Sequence, residues 1–175
     1  MPKQAERRAA TRAKLLKAAG AIFARRGYHA ATLDEIAQRA GVSKGALYYN
    51  FASKEDLFLA LLADRLGEGP ADLEDFASRL ERDPRWAPLF FEFMAWSGRD
   101  ARRRAELRRR FFRPARERTR ELNAAGHGGG DLTDDELAAA VNALVNGLLL
   151  ERHFDPERVP PDLVGRAVAR LLQPG

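Results

Sequence analysis

The polar groups best placed to do chemistry fall in one stretch, Thr32 to Lys54, TLDEIAQRAGVSKGALYYNFASK. Lys44 and Tyr48 stand four residues apart, as do Gly45 and Tyr49, so on a helix beginning at Lys44 they form two outward pairs. That face carries a cation, a gap that admits close approach, and two phenols. A lysine neutralises phosphate, a phenol donates to a phosphate or a base edge, and together they suit a surface that touches DNA. Leu47 and Phe51 occupy the opposite, buried side. Ser53 caps the next helix, which sets Lys54 and the first-turn amides where a phosphate oxygen can be held. Thr32, Ser43, Lys44, Gly45, Tyr48, Tyr49, Asn50 and Lys54 are therefore the expected DNA-binding residues.

Local signals position this face. Thr32-Leu33-Asp34-Glu35 is a capping box, in which the threonine oxygen accepts from the Glu35 amide and the Glu35 carboxylate reaches back to the Thr32 amide. Ile36, Ala37 and Ala40 continue Leu33 at helical spacing, and Gly41 can end the helix in the left-handed region without a Cβ penalty. The turn is Gly41-Val42-Ser43, and Ser43 is a second N-cap. Two short helices joined by a tight turn result.

Gly27-Tyr28, Thr32, Ile36-Ala37, Ala40-Gly41-Val42-Ser43, Gly45, Leu47-Tyr48, Phe51 and Lys54-Glu55 with Leu57 together resemble the signature of the TetR family of bacterial transcriptional regulators. The match covers about the first third of the chain, and Asn50 departs from it where many relatives carry histidine. The resemblance implies an all-α fold: an N-terminal three-helix DNA-binding domain, then a C-terminal helical domain for ligand binding and dimerisation. It also implies a homodimer on a palindromic operator and a small-molecule effector that releases a repressor.

The chain has 175 residues and no cysteine, which excludes disulfides, thiolate metal sites and cysteine nucleophiles. The N-terminus lacks the apolar core of a signal peptide and no eighteen apolar residues run together, so a cytoplasmic protein without a membrane span is expected. The net charge of +5 is segregated: residues 1–54 hold 11 Lys/Arg against 3 Asp/Glu, residues 99–120 likewise 11 against 3, and the remainder is acidic. A basic N-terminal third supplies the counterion-release part of DNA affinity. Residues 1–10 read as a basic arm without apolar period, either laid along a minor groove or solvated.

From about Thr11 to Gly27 an amphipathic helix backs the turn motif, with Tyr28 filling its core or reaching a phosphate. A longer helix from about residue 54 to 66 ends at Gly67-Glu68-Gly69-Pro70 and links the two domains, 1–54 and 55–175. A short amphipathic segment spans Asp72 to Leu80. Between about Pro88 and Ser97 the density of Phe90, Phe91, Phe93, Met94 and Trp96 fits either an apolar pocket or plain core. The arginine-rich block 99–120 forms one helix kinked near Pro114. Its arginines either pair with the acidic remainder on a solvated face, bind an anionic ligand, or add attraction to DNA.

Gly126 to Gly130 is a loop, and Thr133-Asp134-Asp135-Glu136 a second capping box. The helix it starts carries Val141, Leu144, Val145, Leu148 and Leu149, and a last helix, about Pro161 to Leu172, carries Val164, Val168 and Leu171. Such a pair is similar to the helices that dimerise TetR-type proteins, so these eight residues are the expected dimer interface. Asn142, Asn146 and His153 share a stripe and serve as pocket groups, cross-dimer hydrogen bonds or solvent-facing side chains. Phe90, Phe93, Met94, Trp96, Asn142 and Asn146 are the ligand-pocket candidates.

An enzyme needs convergent acids, bases or ligands. The three histidines, His29, His127 and His153, lie on separate segments without metal-ligand spacing, and Asp134 and Asp135 serve a cap. No catalytic residue, metal or cofactor is expected. The alternative reading is a membrane-surface or scaffolding helical protein that uses the arginine block.

Overall fold

The computed structural model describes residues 2–66, 86–124 and 131–172, which are helical throughout with no strand. The Gly67–Pro70 break, the Asp72–Leu80 segment and the Gly126–Gly130 loop lie outside these described residues. Two compact units form, Met1–Asp64 and Arg65–Gly175.

In the first unit, α1 (Pro2–Ala30) packs on α2 (Leu33–Ala40) and α3 (Lys44–Asn50), and α4 (Lys54–Leu66) begins behind them. Both caps expected of the turn motif form. Glu35 N donates to Thr32 Oγ1 at 3.2 Å while Thr32 N donates to Glu35 Oε2 at 3.3 Å, and Gly41 is left-handed at φ 66°. Ala46 N donates to Ser43 Oγ at 3.1 Å. The basic N-terminus corrects one expectation: residues 2–10 extend α1 rather than trail as an arm. Gly27, at φ 77°, interrupts α1 as expected, and the chain turns there to bury Tyr28 between Phe23, 5.8 Å away, and Phe58, 5.2 Å away. Because Phe58 belongs to that cluster, most of α4 groups with the first unit, beyond the boundary expected at residue 54.

In the second unit, α8 (Asp134–Phe154) is central and packs on α5 (Trp86–Ser97), α7 (Arg113–Ala124) and α9 (Leu163–Leu171). The segment α6 (Ala101–Leu107) continues through a π-helical turn, Arg108–Phe112, into α7. This is the break expected near Pro114. Arg113 N–H donates to Arg108 O, five residues back, and Pro114 sits in the first turn of α7, where a missing donor costs little.

The inward stripe of α8 is Leu137, Ala138, Val141, Val145 and Leu149, and Val164 and Val168 of α9 are likewise buried within the single chain. This corrects the expected dimer interface for Val141, Val145, Leu149, Val164 and Val168, whose side chains are already covered by their own protomer. Leu144, Leu148 and Leu171 are half-buried.

Two carboxylates that cap helices sit below their ordinary range. Glu136 is held there by the Thr133 hydroxyl and N–H, and Asp100 chiefly by the Arg103 N–H, aided by the Arg103 charge. A depressed folded pKa stabilises the fold above the unfolded value and loses that stabilisation as pH falls through the folded one. Melting followed by helical circular dichroism should therefore be flat above about pH 5 and decline below about pH 4. Asp100→Asn combined with Glu136→Gln should flatten the decline; an unchanged acid limb would remove both caps from it.

Candidate nucleic-acid interface

The outward face belongs to α3, a helix of seven residues. Tyr48 is 55% exposed and Tyr49 68%, while Leu47 behind them is 1% exposed, so both phenols stand in solvent on a helix anchored by its opposite side. Exposed tyrosines lose apolar contact with the core, and of the two only Tyr49 has, among the described residues, a guanidinium set against its ring, that of Arg8.

Gly45 faces outward beside them. A Cβ at this position meets only Ser43 Oγ at 3.9 Å, and the backbone is ordinary helix. The chain's own packing therefore does not require glycine at 45.

Lys44 is exposed, and its Nζ donates to Asp34 Oδ2 at 2.5 Å across the turn. That hydrogen bond and the Asp34 charge raise its amine above the ordinary lysine range. An exposed pair of this kind contributes little to stability, so the ammonium can exchange its carboxylate for a phosphate at small cost. Thr32 and Ser43 have their side-chain oxygens engaged as caps, so their part in any interface runs through the placement of α2 and α3. Asn50 donates from Nδ2 to Ala46 O at 2.8 Å, while its buried Oδ1 has no hydrogen-bond partner among the described residues.

Lys54 departs from expectation. Its Nζ donates to the carbonyls of Tyr28 at 2.9 Å, His29 at 3.0 Å and Ala31 at 3.0 Å, and stands 4.8 Å from the centre of the Tyr28 ring. Those carbonyls lie at the C-terminal end of α1, where acceptors lack intrahelical donors and the helix dipole favours a cation. With its three protons so directed, Lys54 holds the motif together and is not presented to a phosphate.

The first turns of α1, expected only as a basic arm along a minor groove or in solvent, stand beside α3 as helix. The Arg8 guanidinium lies 5.2 Å from the Tyr49 ring centre and Arg12 lies 4.6 Å from that of Phe51. Arg7, Arg8, Tyr49 and Asn50 line an open groove of about 580 Å³ between α1 and α3. The signal was present as a basic run with helix-compatible residues, but the apolar period that marks a helix begins only at Leu15.

Residues 15–61 match the family described as "Bacterial regulatory proteins, tetR family", and residues 71–173 match "BetI-type transcriptional repressor, C-terminal". The chain belongs to the TetR family. The HTH-type transcriptional repressor Rv1474c of Mycobacterium tuberculosis is 30% identical over 190 residues, covering 97% of this chain and 100% of that protein. The HTH-type transcriptional activator FasR of Mycolicibacterium smegmatis is 61% identical over 51 residues, only 29% of this chain and 23% of that one. Several other curated relatives are likewise matched over less than two thirds of their length. The full-length TetR regulator TylP from Streptomyces fradiae has the same fold, with TM-score 0.68, 29% identity, and coverage of 96% of this chain and 78% of that one.

This TetR-family protein is thus a helix-turn-helix transcriptional regulator, as its sequence signature implied. Nothing in these matches favours the membrane-surface or scaffolding alternative. Among the described residues no helix is long and apolar enough to cross a membrane.

Two variants separate interface from scaffold. Gly45→Ala should leave the melting temperature unchanged or slightly raised, since alanine favours helix by about 0.5–1 kcal/mol over glycine, yet weaken binding to duplex DNA. Lys54→Met should do the reverse, destabilising the fold by about 1–3 kcal/mol while the salt dependence of DNA binding keeps its slope. A Lys54→Met protein of normal stability whose salt slope fell by about one would return Lys54 to the phosphate contacts.

Proposed function

We propose that the protein binds a two-fold symmetric DNA operator as a homodimer, with α3 entering the major groove. The observation that carries this reading is the α3 face itself: two exposed phenols, a glycine its own fold does not need, and a lysine held only by an exposed carboxylate. Tyr48 and Tyr49 meet bases and sugar edges, Lys44 exchanges Asp34 for phosphate, and Arg7 and Arg8 follow the backbone alongside. Phenols discriminate bases less sharply than a bidentate arginine–guanine pair, so part of the specificity comes from half-site spacing.

Dimerisation uses the outer face of α8. Ala143, Gly147, Leu150 and Phe154 recur at helical spacing on the side opposite the buried stripe. Leu150 is 38% exposed and Phe154 77%, with the half-buried Leu144 and Leu148 beside them. Small residues in the middle of the stripe let two copies of α8 approach closely, and a self-complementary contact of this kind sets two DNA modules in two-fold relation. One module alone would hold only a half-site.

The second unit carries the regulatory input. The rings of α5 pack as core, Phe90 5.0 Å from Phe111 and Phe93 5.7 Å from Trp96, and the Arg103 guanidinium stands 3.9 Å from the Trp96 ring. Asn142 donates to Ala138 O of its own helix. These contacts favour core over pocket for the aromatic cluster. Repression is the sign carried by the relative matched over its whole length, Rv1474c, whereas the activator FasR is matched only at its DNA-binding end.

Operator binding should be lost with assembly. Leu150→Glu places a charge in an apolar seam and should yield monomers that retain their helical content but bind a palindromic duplex at least tenfold more weakly. Sedimentation that still reported a dimer would move the seam off α8. Selecting duplexes from a random pool should return two half-sites about one helical turn apart, and an unsplit, asymmetric site would exclude the dimeric reading.

A further inference from the structure

The second unit contains a groove that neither the fold nor the regulator reading uses. It has a volume of about 630 Å³, and its walls are Arg108, Arg109, Arg113, Arg116 and Arg120, with Phe112 at its side. All of them come from the π-helical turn and α7. The wide turn matters, because its five-residue repeat stacks Arg113 beneath Arg108 through the Arg113 N–H to Arg108 O bond. Wide turns of this type cost helix geometry and occur often where a site is built.

Counterions cover only part of this charge. Arg109 pairs with Glu106 at 2.6 Å, Arg113 with Glu117 at 3.0 Å, and Arg120 with Asp135. Arg108 and Arg116 have no carboxylate among the described residues and no hydrogen-bond acceptor for their guanidinium groups. Five guanidinium groups against two lining carboxylates, Glu117 and Asp135, leave the groove cationic. Two unneutralised arginines on one groove, with three more beside them held only by solvent-accessible carboxylates, favour an anion that several forks can grip at once.

We infer that this groove binds a small organic polyphosphate carrying a planar ring. Guanidinium forks match phosphate oxygens bidentately, and two or more phosphates are needed to span Arg108 and Arg116, which lie about two helical turns apart. Phe112 is half-buried, braced edge-on against Phe111 at 5.0 Å, and offers its remaining surface to a ring. The volume lies in the range of small-ligand pockets. The site stands on the geometry of the second unit; only its effect on DNA binding rests on the regulator reading.

Calorimetry on the full chain, without DNA, tests binding directly with ATP, GTP and inorganic tripolyphosphate. One nucleotide triphosphate per chain should bind, with affinity falling as salt rises. Arg108→Ala and Arg116→Ala should each weaken it about tenfold, because each removes a charged hydrogen-bonding fork from an exposed position that the fold does not need. Phe112→Leu should weaken the nucleotide severalfold and leave tripolyphosphate unchanged, and it keeps an apolar group against Phe111 should alanine there unfold the helix. Equal nucleotide affinity in the wild type and the Arg108→Ala/Arg116→Ala double variant would overturn the site. So would the absence of binding by all three anions at low salt. Loss of non-specific duplex affinity in the double variant, with no triphosphate binding in the wild type, would instead make the groove a DNA-backbone surface. If the nucleotide binds but leaves operator affinity unchanged, the site holds and the coupling to regulation fails; if it changes operator affinity, operator must change nucleotide affinity by the same factor.

Discussion

The DNA-binding unit depends on the ammonium of Lys54 and the three carbonyls it gathers. Gly27 breaks α1, and a single cation at the start of α4 donates to the carbonyls of Tyr28, His29 and Ala31 beyond the break. Because α4 starts from that point, its Phe58 meets Phe23 and Tyr28, and the small core closes. The turn motif is then held from both ends, since Glu35, already part of the Thr32 cap, also pairs with Arg26 at 2.7 Å. A helix of seven residues has too few internal hydrogen bonds to persist by itself. The orientation of α3 is a property of this clamp.

That dependence explains what could be read from the sequence and what could not. Thr32, Glu35, Gly41 and Ser43 announced themselves because a cap is a local device whose partners lie within three or four residues. Lys54 did not, because its acceptors lie 23 to 26 residues earlier and a lysine in the first turn of a helix has the same local appearance in either role. Val141, Val145 and Leu149 show a different limit. Periodicity tells that a stripe is apolar, but an internal core and an intersubunit seam are apolar for the same reason. Only the packing of α5, α7 and α9 on α8 separates the inward stripe from the outer one of Ala143, Gly147, Leu150 and Phe154.

The arginine block was legible as a charge run and illegible as a surface. In a regular helix its guanidinium groups spread around more than half the circumference; the π-helical turn gathers five of them along one groove. Pro114 announced a break, and the break takes the form of a wide turn whose Phe111 ring lies 5.0 Å from that of Phe90.

The two basic regions of the chain therefore differ in kind. On α3 and the first turns of α1 the charge is sparse and mixed with phenols, and the exposed pair of Lys44 with Asp34 can exchange a carboxylate for a phosphate without any change of backbone. In the second unit the charge is dense, and the exposed Arg108 of the π-helical turn and Arg116 of α7 line one groove with Asp135 of α8. A ligand that neutralises such a groove acts on the fold only if it prefers one placement of α7 on α8 over another, because equal affinity for both shifts nothing. Surface charge on a rigid element would be inert in that respect. Charge on a π-helical turn is not, since a five-residue turn can tighten to a regular one when its side chains are drawn together, and each such change rotates everything beyond it by about 100° relative to what precedes it.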